Sequence, residues 1–423
     1  MRRHDAVVVG AGPAGSATAL LLARAGADVL LLDRARFPRD KPCSEYLSPE
    51  TIRILERIAP DVVPAVERAA PAKLYGMKVV APDGTAMVGR FAARHCWPSP
   101  RPYGLALPRT ALDTILLRAA ERAGAVVHEE TAVEELEYHR GAVGGVVARS
   151  EGGRRESYHA RVVVGADGLH SVVARRLGVR RAGVPRRLAF AAHLTDVARV
   201  EEQGELHVSH LGYVGLGPIG QGETTVALVL PLAAARRWGK EGGLGHQARF
   251  LAELERFPGL RGRFAAARLV REVLVTGPFA QWSRNPVPGG HGGGGGGAGG
   301  GACLVGDAAD FFDPFTGQGI YSALRGAELA AGVLLVALAA GGGGPLPQST
   351  LAPYARARRR VFAGKWVLER LIGLGVGWPA LANRVIGRLA RRPDLGDLVV
   401  GATANFVPTR AVLTPRTLAR LLW

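Results

Sequence analysis

Cysteine is scarce in this chain of 423 residues, which holds only Cys43, Cys96 and Cys303. Three scattered thiols give no even disulfide framework and no ligand set for an iron–sulfur centre. A reducing cytoplasm is the simplest compartment, and no metal site is expected. Long apolar runs are missing too. The nearest approach, residues 329–340, has 12 residues before a glycine tract, short of the roughly 20 that span a bilayer. Acidic residues are outnumbered, 36 Asp plus Glu against 54 Lys plus Arg, for a net charge of +18. No nucleic-acid-binding module accompanies that charge, so nucleic acid is not an expected partner.

What is present begins at the first strand. Residues 6–9 are apolar, Gly10, Gly12 and Gly15 follow, and an Ala- and Leu-rich helix runs to about Gly26. Gly10 permits a tight turn, Gly12 admits a pyrophosphate, and Gly15 lets helix and strand pack closely. Pro13 and Ala14 complete the turn, whose helix-start N–H groups face phosphates. A second apolar strand, residues 29–32, ends in Asp33, a ribose acceptor, with Arg34 beside it. Arginines ahead of an apolar stretch have the layout of a secretory signal, but the nucleotide turn inside that stretch argues against cleavage.

A second glycine-rich stretch distinguishes FAD from NAD. Gly306 and Asp307 stand at the carboxyl end of a short strand, where Asp307 can accept from a ribityl hydroxyl or cap a helix. Pro314, Gly317, Gly319 and Ile320 then open a helix expected over residues 319–340, whose start can face the electron-rich edge of a reduced flavin. Between the two lies Gly165-Ala166-Asp167-Gly168, with Ser171 beginning a helix. In these three blocks the chain resembles the flavoprotein superfamily of geranylgeranyl reductases and aromatic hydroxylases of the p-hydroxybenzoate hydroxylase type. The resemblance spans nearly the whole chain and implies FAD as cofactor, with Asp167 and Gly168 near both the FAD and a nicotinamide donor. The arginine usual three residues after the Ser is Ala174 here.

Residues 37–50 resemble the Lys-Pro-Cys-Gly segment of geranylgeranyl reductases, with Cys43 matching and Ser44 in place of the Gly. This makes Cys43 a candidate for contact with flavin or substrate; otherwise it is a small buried apolar residue. Arg109, at an Arg-x-x-Leu-Asp helix start, is similarly implied to neutralise the pyrophosphate, or else is a solvated charge. The resemblance also places Tyr213, Gly215, Gly217 and Pro218 where reductases tend to carry Tyr-x-Trp-x-Phe-Pro and halogenases Trp-x-Trp-x-Ile-Pro. Loss of the Trp argues against halogenation and implies a larger cavity, which Tyr213 either faces or packs beneath. Catalytic residues are thus open, with Cys43 and Tyr213 as candidates; His170, His207 and His210 qualify by residue type only.

Fold class is expected to be α/β: a Rossmann-like FAD-binding domain, an inserted antiparallel-sheet substrate domain and a helical C-terminal region. The expected boundaries give the FAD-binding domain residues 1–75, 106–180 and 281–345, and the substrate domain 76–105 and 181–280. The basic C-terminal region takes 346–423. The glycine run within 289–301 reads as a mobile surface loop without chemistry, since no Lys-Ser/Thr follows it. From residue 351 onward, 13 Lys plus Arg face 3 Asp plus Glu. That charge among Trp and Leu suits an anionic membrane surface met peripherally, a diphosphate-bearing substrate, or a solvated arginine-rich face.

The expected activity is an FAD-dependent oxidoreductase, geranylgeranyl-reductase-like, passing hydride to or from a bulky apolar isoprenoid or polyketide-like small molecule. The alternative is an FAD-dependent monooxygenase hydroxylating an aromatic or polyketide substrate. A halogenase or an electron-transfer flavoprotein follows behind. No second dinucleotide fingerprint is visible, so NADPH or NADH would bind transiently as donor.

Overall fold

A computed structural model describes residues 3–92, 95–238, 246–288 and 299–422. The first sheet has seven strands and starts from the parallel pairing of Arg3–Val9 with Val29–Leu32 on one side and Arg155–Gly165 on the other. Ala6, Val7, Val8, Leu31 and Leu32 are completely buried, as expected of parallel strands covered on both faces. The long strand Arg155–Gly165 forks: its first half pairs antiparallel with Ala142–Arg149, and its end pairs parallel with Ala302–Leu304. That fork brings the three glycine-rich blocks to one sheet edge. The helix Pro13–Arg24 packs against both Arg109–Arg122 and Gly319–Ala339.

Gly319–Ala339 is long and apolar enough to cross a membrane by composition. Here it is a core helix, lying between Pro13–Arg24 and the C-terminal helix Gln348–Val376. The second sheet has eight strands, among them Gly204–Ser209, Gly212–Gly220 and Glu223–Pro231, where the sequence alternates in short runs over residues 205–209, 213–218 and 224–230. It is not purely antiparallel. Gly204–Ser209 is the edge of that meander, and Gly76–Val80 adds to it in the same direction, with residues 204–207 opposite 77–80.

The remainder of the chain is helical: Gln348–Val376, Pro379–Arg391, Pro393–Thr403, Thr409–Val412 and Pro415–Leu422. It sits on the second sheet at Ala86–Arg90, where a Cβ on Gly89 would meet the Gly396 carbonyl at 2.7 Å. Asp397 anchors this contact by accepting from the Arg90 N–H at 2.8 Å. The basic character of this region is partly structural. Arg358 is buried and donates to Asp310 at 2.5 Å, so it is no solvated charge.

Most of the glycine run, residues 289–298, lies outside the described residues. Gly299, Gly300 and Gly301, expected in a mobile loop, are instead buried and paired. Gly301 donates to Leu346 O at 2.8 Å and Gly299 accepts from Gln348 N at 2.8 Å. Glycine is required here for closeness rather than looseness, because Gly301 has φ +73° and its Cβ would lie 1.9 Å from Val143 O. Gly301→Ala is expected to lower the unfolding free energy by about 2 kcal/mol or more, read by denaturant melts. Gly152→Ala, which meets nothing within 4 Å, should leave it nearly unchanged.

Candidate active site

The first turn is built by close backbone approach. A Cβ on Gly15 would lie 1.7 Å from Gly10 O, and one on Gly10 would lie 2.7 Å from Ala166 O. Helix Pro13–Arg24 therefore starts directly at the sheet edge, and neither it nor Gly319–Ala339 has a side-chain N-cap. Both bare helix starts, Gly12 to Ala14 and Gln318 to Ile320, lie on the wall of one cavity. Uncapped N–H groups with the positive ends of two helix dipoles suit an anionic ligand spread between them. The Oδ2 of Asp33 accepts from the Ala11 N–H at 2.6 Å and its Oδ1 from the Ala35 N–H at 2.8 Å, fixing the carboxylate at the strand end. Arg34, beside it, is exposed.

Cationic groups close over the turn. Seen from Gly12, the Arg39 and Arg109 guanidinium nitrogens lie 3.4 and 3.9 Å from where a Cβ would stand. Arg109 is buried, not a solvated helix charge, and grips Asp113 with two bonds of 2.7 Å. Burial alone would lower the Arg109 pKa, but the Asp113 carboxylate outweighs it and keeps the guanidinium charged. Lys41 reaches the other two blocks, its Nζ being 3.6 Å from Asp307 Oδ2 and 3.5 Å from a Cβ placed on Gly168. Gly306, at φ +61°, has no room for a side chain beside Ala14, and Gly317 turns at φ +64° beside the Tyr46 ring. Asp307 lies in a single 3-10 turn and Pro314 opens another. Asp167 differs in kind from these. Its carboxylate faces the next helix, accepting from Ser171 Oγ and Val172 N at 2.6 Å each. Burial raises its pKa and those donors oppose the rise.

Cys43 is half-buried on the cavity wall, with its sulfur accepting from Glu45 N at 3.3 Å. Glu45 was not singled out from the sequence, and it holds this segment in place. It is fully buried at φ +59°, accepts from the Arg109 N–H at 3.2 Å, and meets His193 Nε2 at 2.7 Å. His193 stands on the second sheet, so this contact ties the Cys43 segment to that sheet. A lone Glu and a lone His 148 residues apart carry no spacing signal.

Tyr213 does both things expected of it as alternatives: it is packed in the sheet and it lines the cavity. Its hydroxyl donates to Asp313 Oδ1 at 2.5 Å, and Arg187 holds the other Asp313 oxygen at 2.6 Å. Burial, then the Asp313 charge, push the Tyr213 pKa well above its usual value. Tyr46, also missed, is the more open group chemically. Its hydroxyl is buried in the cavity wall with no hydrogen-bond partner among the described residues, and burial keeps it protonated. His207 is spent on Glu205 at 2.9 Å, His210 is exposed on a turn, and His170 sits half-exposed with its pKa lowered by burial and by Arg180.

The cavity has a volume of about 550 Å³. From the two helix starts it passes Tyr213, Gly215 and Gly217, then continues between the C-terminal helices along Leu368, Ile372, Val385, Ile386, Val400 and Leu421. A Cβ on Gly215 would meet nothing closer than Leu206 at 3.5 Å, so it would fit there in ordinary contact.

Residues 3–240 match the model of the FAD binding domain family. The chain belongs to that family. This flavoprotein is an FAD-dependent oxidoreductase, geranylgeranyl-reductase-like in sequence. It is 31% identical over 346 residues to a menaquinone reductase of Mycobacterium tuberculosis, covering 78% of this chain and 76% of that one. It is 31% identical over 350 residues to a digeranylgeranylglycerophospholipid reductase of Methanothrix thermoacetophila, covering 80% and 79%. In fold it is similar to a flavoprotein/dehydrogenase from Cytophaga hutchinsonii, with TM-score 0.82 over 98% of this chain and 96% of that one at 19% identity.

The residues present fit FAD: two uncapped helix starts, a glycine turn under Arg39 and Arg109, and a carboxylate at the second strand end. Gly12→Val is expected to weaken FAD binding at least about tenfold, since a side chain there stands in the turn's mouth while meeting only a movable arginine. Fluorescence titration of the apoprotein checks this, with circular dichroism unchanged. A second expectation concerns acid. Arg263 holds Glu205 with bonds of 2.8 and 2.9 Å. Burial raises the Glu205 pKa, but His207 and Arg263 bring it down to about 2, from an ordinary 4.5. A lowered folded-state pKa stabilises fully above pH 4.5 and loses that contribution as pH falls toward 2. Glu205→Gln should therefore flatten the acid limb of a stability-versus-pH curve.

Proposed function

We propose that this flavoprotein reduces carbon–carbon double bonds in a long isoprenoid chain, with NADPH or NADH as transient donor. The observation that carries the reading is the cavity, which runs from the bare helix starts into a sleeve of Leu, Ile and Val between the C-terminal helices. A chain without polar groups gains by leaving water for such a lining, and an extended one fits it better than a compact aromatic ring. The names of the two reductase relatives point the same way.

FAD, held by the Gly10–Gly15 turn, Arg39, Arg109 and Asp33, would supply the hydride chemistry between a nicotinamide donor and an alkene. The chain's own residues bind, exclude water and deliver the proton that the second carbon must take. Tyr46 is the group suited to that delivery. Its hydroxyl is protonated, buried and without a partner, beside the Gly317 turn. Tyr213 also keeps its proton, but directs it to Asp313, which caps the turn that Pro314 opens by accepting from the Phe315 N–H. Cys43, whose sulfur accepts from Glu45 N, forms part of the same wall.

Under anaerobic conditions the purified holoprotein should oxidise NADPH or NADH in step with saturation of a prenylated quinone or lipid. Turnover that strictly requires oxygen would establish the hydroxylating alternative instead. Tyr46→Phe should lower kcat by about 10²-fold, the scale of one positioned proton donor, and leave flavin reduction by the nicotinamide unchanged. Gly215→Trp should raise KM for the prenylated substrate by filling the space beside Leu206.

A further inference from the structure

The cavity does not end inside the protein. Leu371, on the Gln348–Val376 helix, belongs to its wall and is also 48% exposed, so the cavity reaches the surface beside that helix. Val367, Leu371 and Leu374 follow one another at intervals of 4 and 3, which places them on one helical face, and Trp378 stands just past the end of that helix as the cap of the next. All four are large and exposed, Leu374 and Trp378 by 62% and 63%. The opposite side of the same helix is firmly seated, with Leu368, Lys365 and Glu369 buried and Gly373 O accepting from Arg187 at 2.9 Å. An exposed apolar stripe on an otherwise anchored helix, continuous with a cavity mouth, is more than scattered surface leucines.

The charge around the stripe selects its occupant. From Arg370 to Arg392 the sequence has five arginines and neither Asp nor Glu. Arg370 is exposed, its guanidinium lying 5.9 Å from the Phe312 ring centroid. The Pro379–Arg391 helix ends in Arg388 and Arg391. Tryptophan at the rim of an aliphatic stripe, with the exposed Arg370 and Arg391 on the two helices that meet there, matches the chemistry of a bilayer interface that bears negative headgroups.

We propose that the corner between the Gln348–Val376 and Pro379–Arg391 helices docks onto anionic phospholipid and holds the cavity mouth against the bilayer. Leu374 and Trp378 enter the headgroup–acyl boundary, the arginines meet the phosphates, and an apolar substrate passes from bilayer to cavity past Leu371 without crossing water. The basic runs are not all equivalent in this arrangement. Arg358 is buried against Asp310 and takes no part. The docking rests on the apolar-substrate reading for its purpose but not for its measurement.

The test is co-sedimentation of the FAD-loaded full chain with vesicles of phosphatidylcholine alone or mixed with phosphatidylglycerol. Wild-type protein is expected to sediment with the mixed vesicles, less so as salt rises. The double variant Leu374→Glu/Trp378→Glu should lose about tenfold or more of that binding. Val336→Glu, a change at an exposed apolar residue on another helix, should keep it. Flavin content and circular dichroism confirm that each variant folds. Equal sedimentation of the double variant, or no preference for phosphatidylglycerol, would overturn the proposal. So would a dimer that the double variant loses together with an absence of vesicle binding, which would give the face to a second copy of the chain. Turnover of a short, water-soluble prenyl analogue separates the two readings: it should survive in the double variant, whereas vesicle binding without turnover of any prenyl compound would fault the substrate reading alone.

Discussion

The structure depends on one steric constraint, the meeting of three backbones at the end of the first strand. Gly10, Gly15 and Ala166 approach so closely that a methyl group on either glycine would overlap a carbonyl oxygen. Because nothing intervenes, the first helix begins flush with the sheet edge, and its uncapped N–H groups point into the cavity rather than into its own loop. The Ala166 N–H donates to Val9 O at 2.8 Å, which draws the third glycine-rich block into the same corner. The fork in the Arg155–Gly165 strand then adds Ala302–Leu304 alongside, and with it the turn that carries Gly306 and Asp307. Segments separated by nearly the whole chain are thereby held together by backbone hydrogen bonds and by the absence of side chains.

Onto that rigid corner the protein builds a site from buried charge. Arg109 with Asp113, His193 with Glu45, and Arg187 with Asp313 each join segments distant in sequence or set a helix start. Removing one member of a buried pair leaves the other uncompensated, which costs far more than such a pair contributes on the surface. These pairs are accordingly better understood as fixing positions than as adding stability. Glu45 is the clearest instance. It holds an unfavourable backbone angle, and its two oxygens tie the Cys43 segment to a helix start on one side and to the second sheet on the other.

The elements whose form follows from local sequence were legible in it. Strand Val29–Leu32 and helix Gly319–Ala339 fall within a residue of their expected bounds, because an apolar run between turn residues has few other solutions. The three strands of the second sheet were visible from alternation. What escaped was whatever depends on distant partners. The parallel addition of Gly76–Val80 has no mark in its own residues. Gly299 to Gly301 look like loose linker, yet they are pressed against Val143 and Leu346. Tyr46 and Glu45 sit beside the recognisable Cys43 and share no pattern with it; burial alone gives them significance. Asp167 shows the converse, a motif residue whose carboxylate is turned to the next helix by its own Ser171.

The sleeve of the cavity is made by residues that follow position 365, whereas the flavin-binding turn is complete by residue 15. Val400, Leu418 and Leu421 are in its wall; Val400 lies on a helix anchored to the second sheet through Gly89 and Asp397, and Leu418 and Leu421 lie on Pro415–Leu422, which packs against Pro379–Arg391. The tail of the chain therefore shapes one part of the cavity while the glycine turn and the helix starts shape another, so each part can change without disturbing the other.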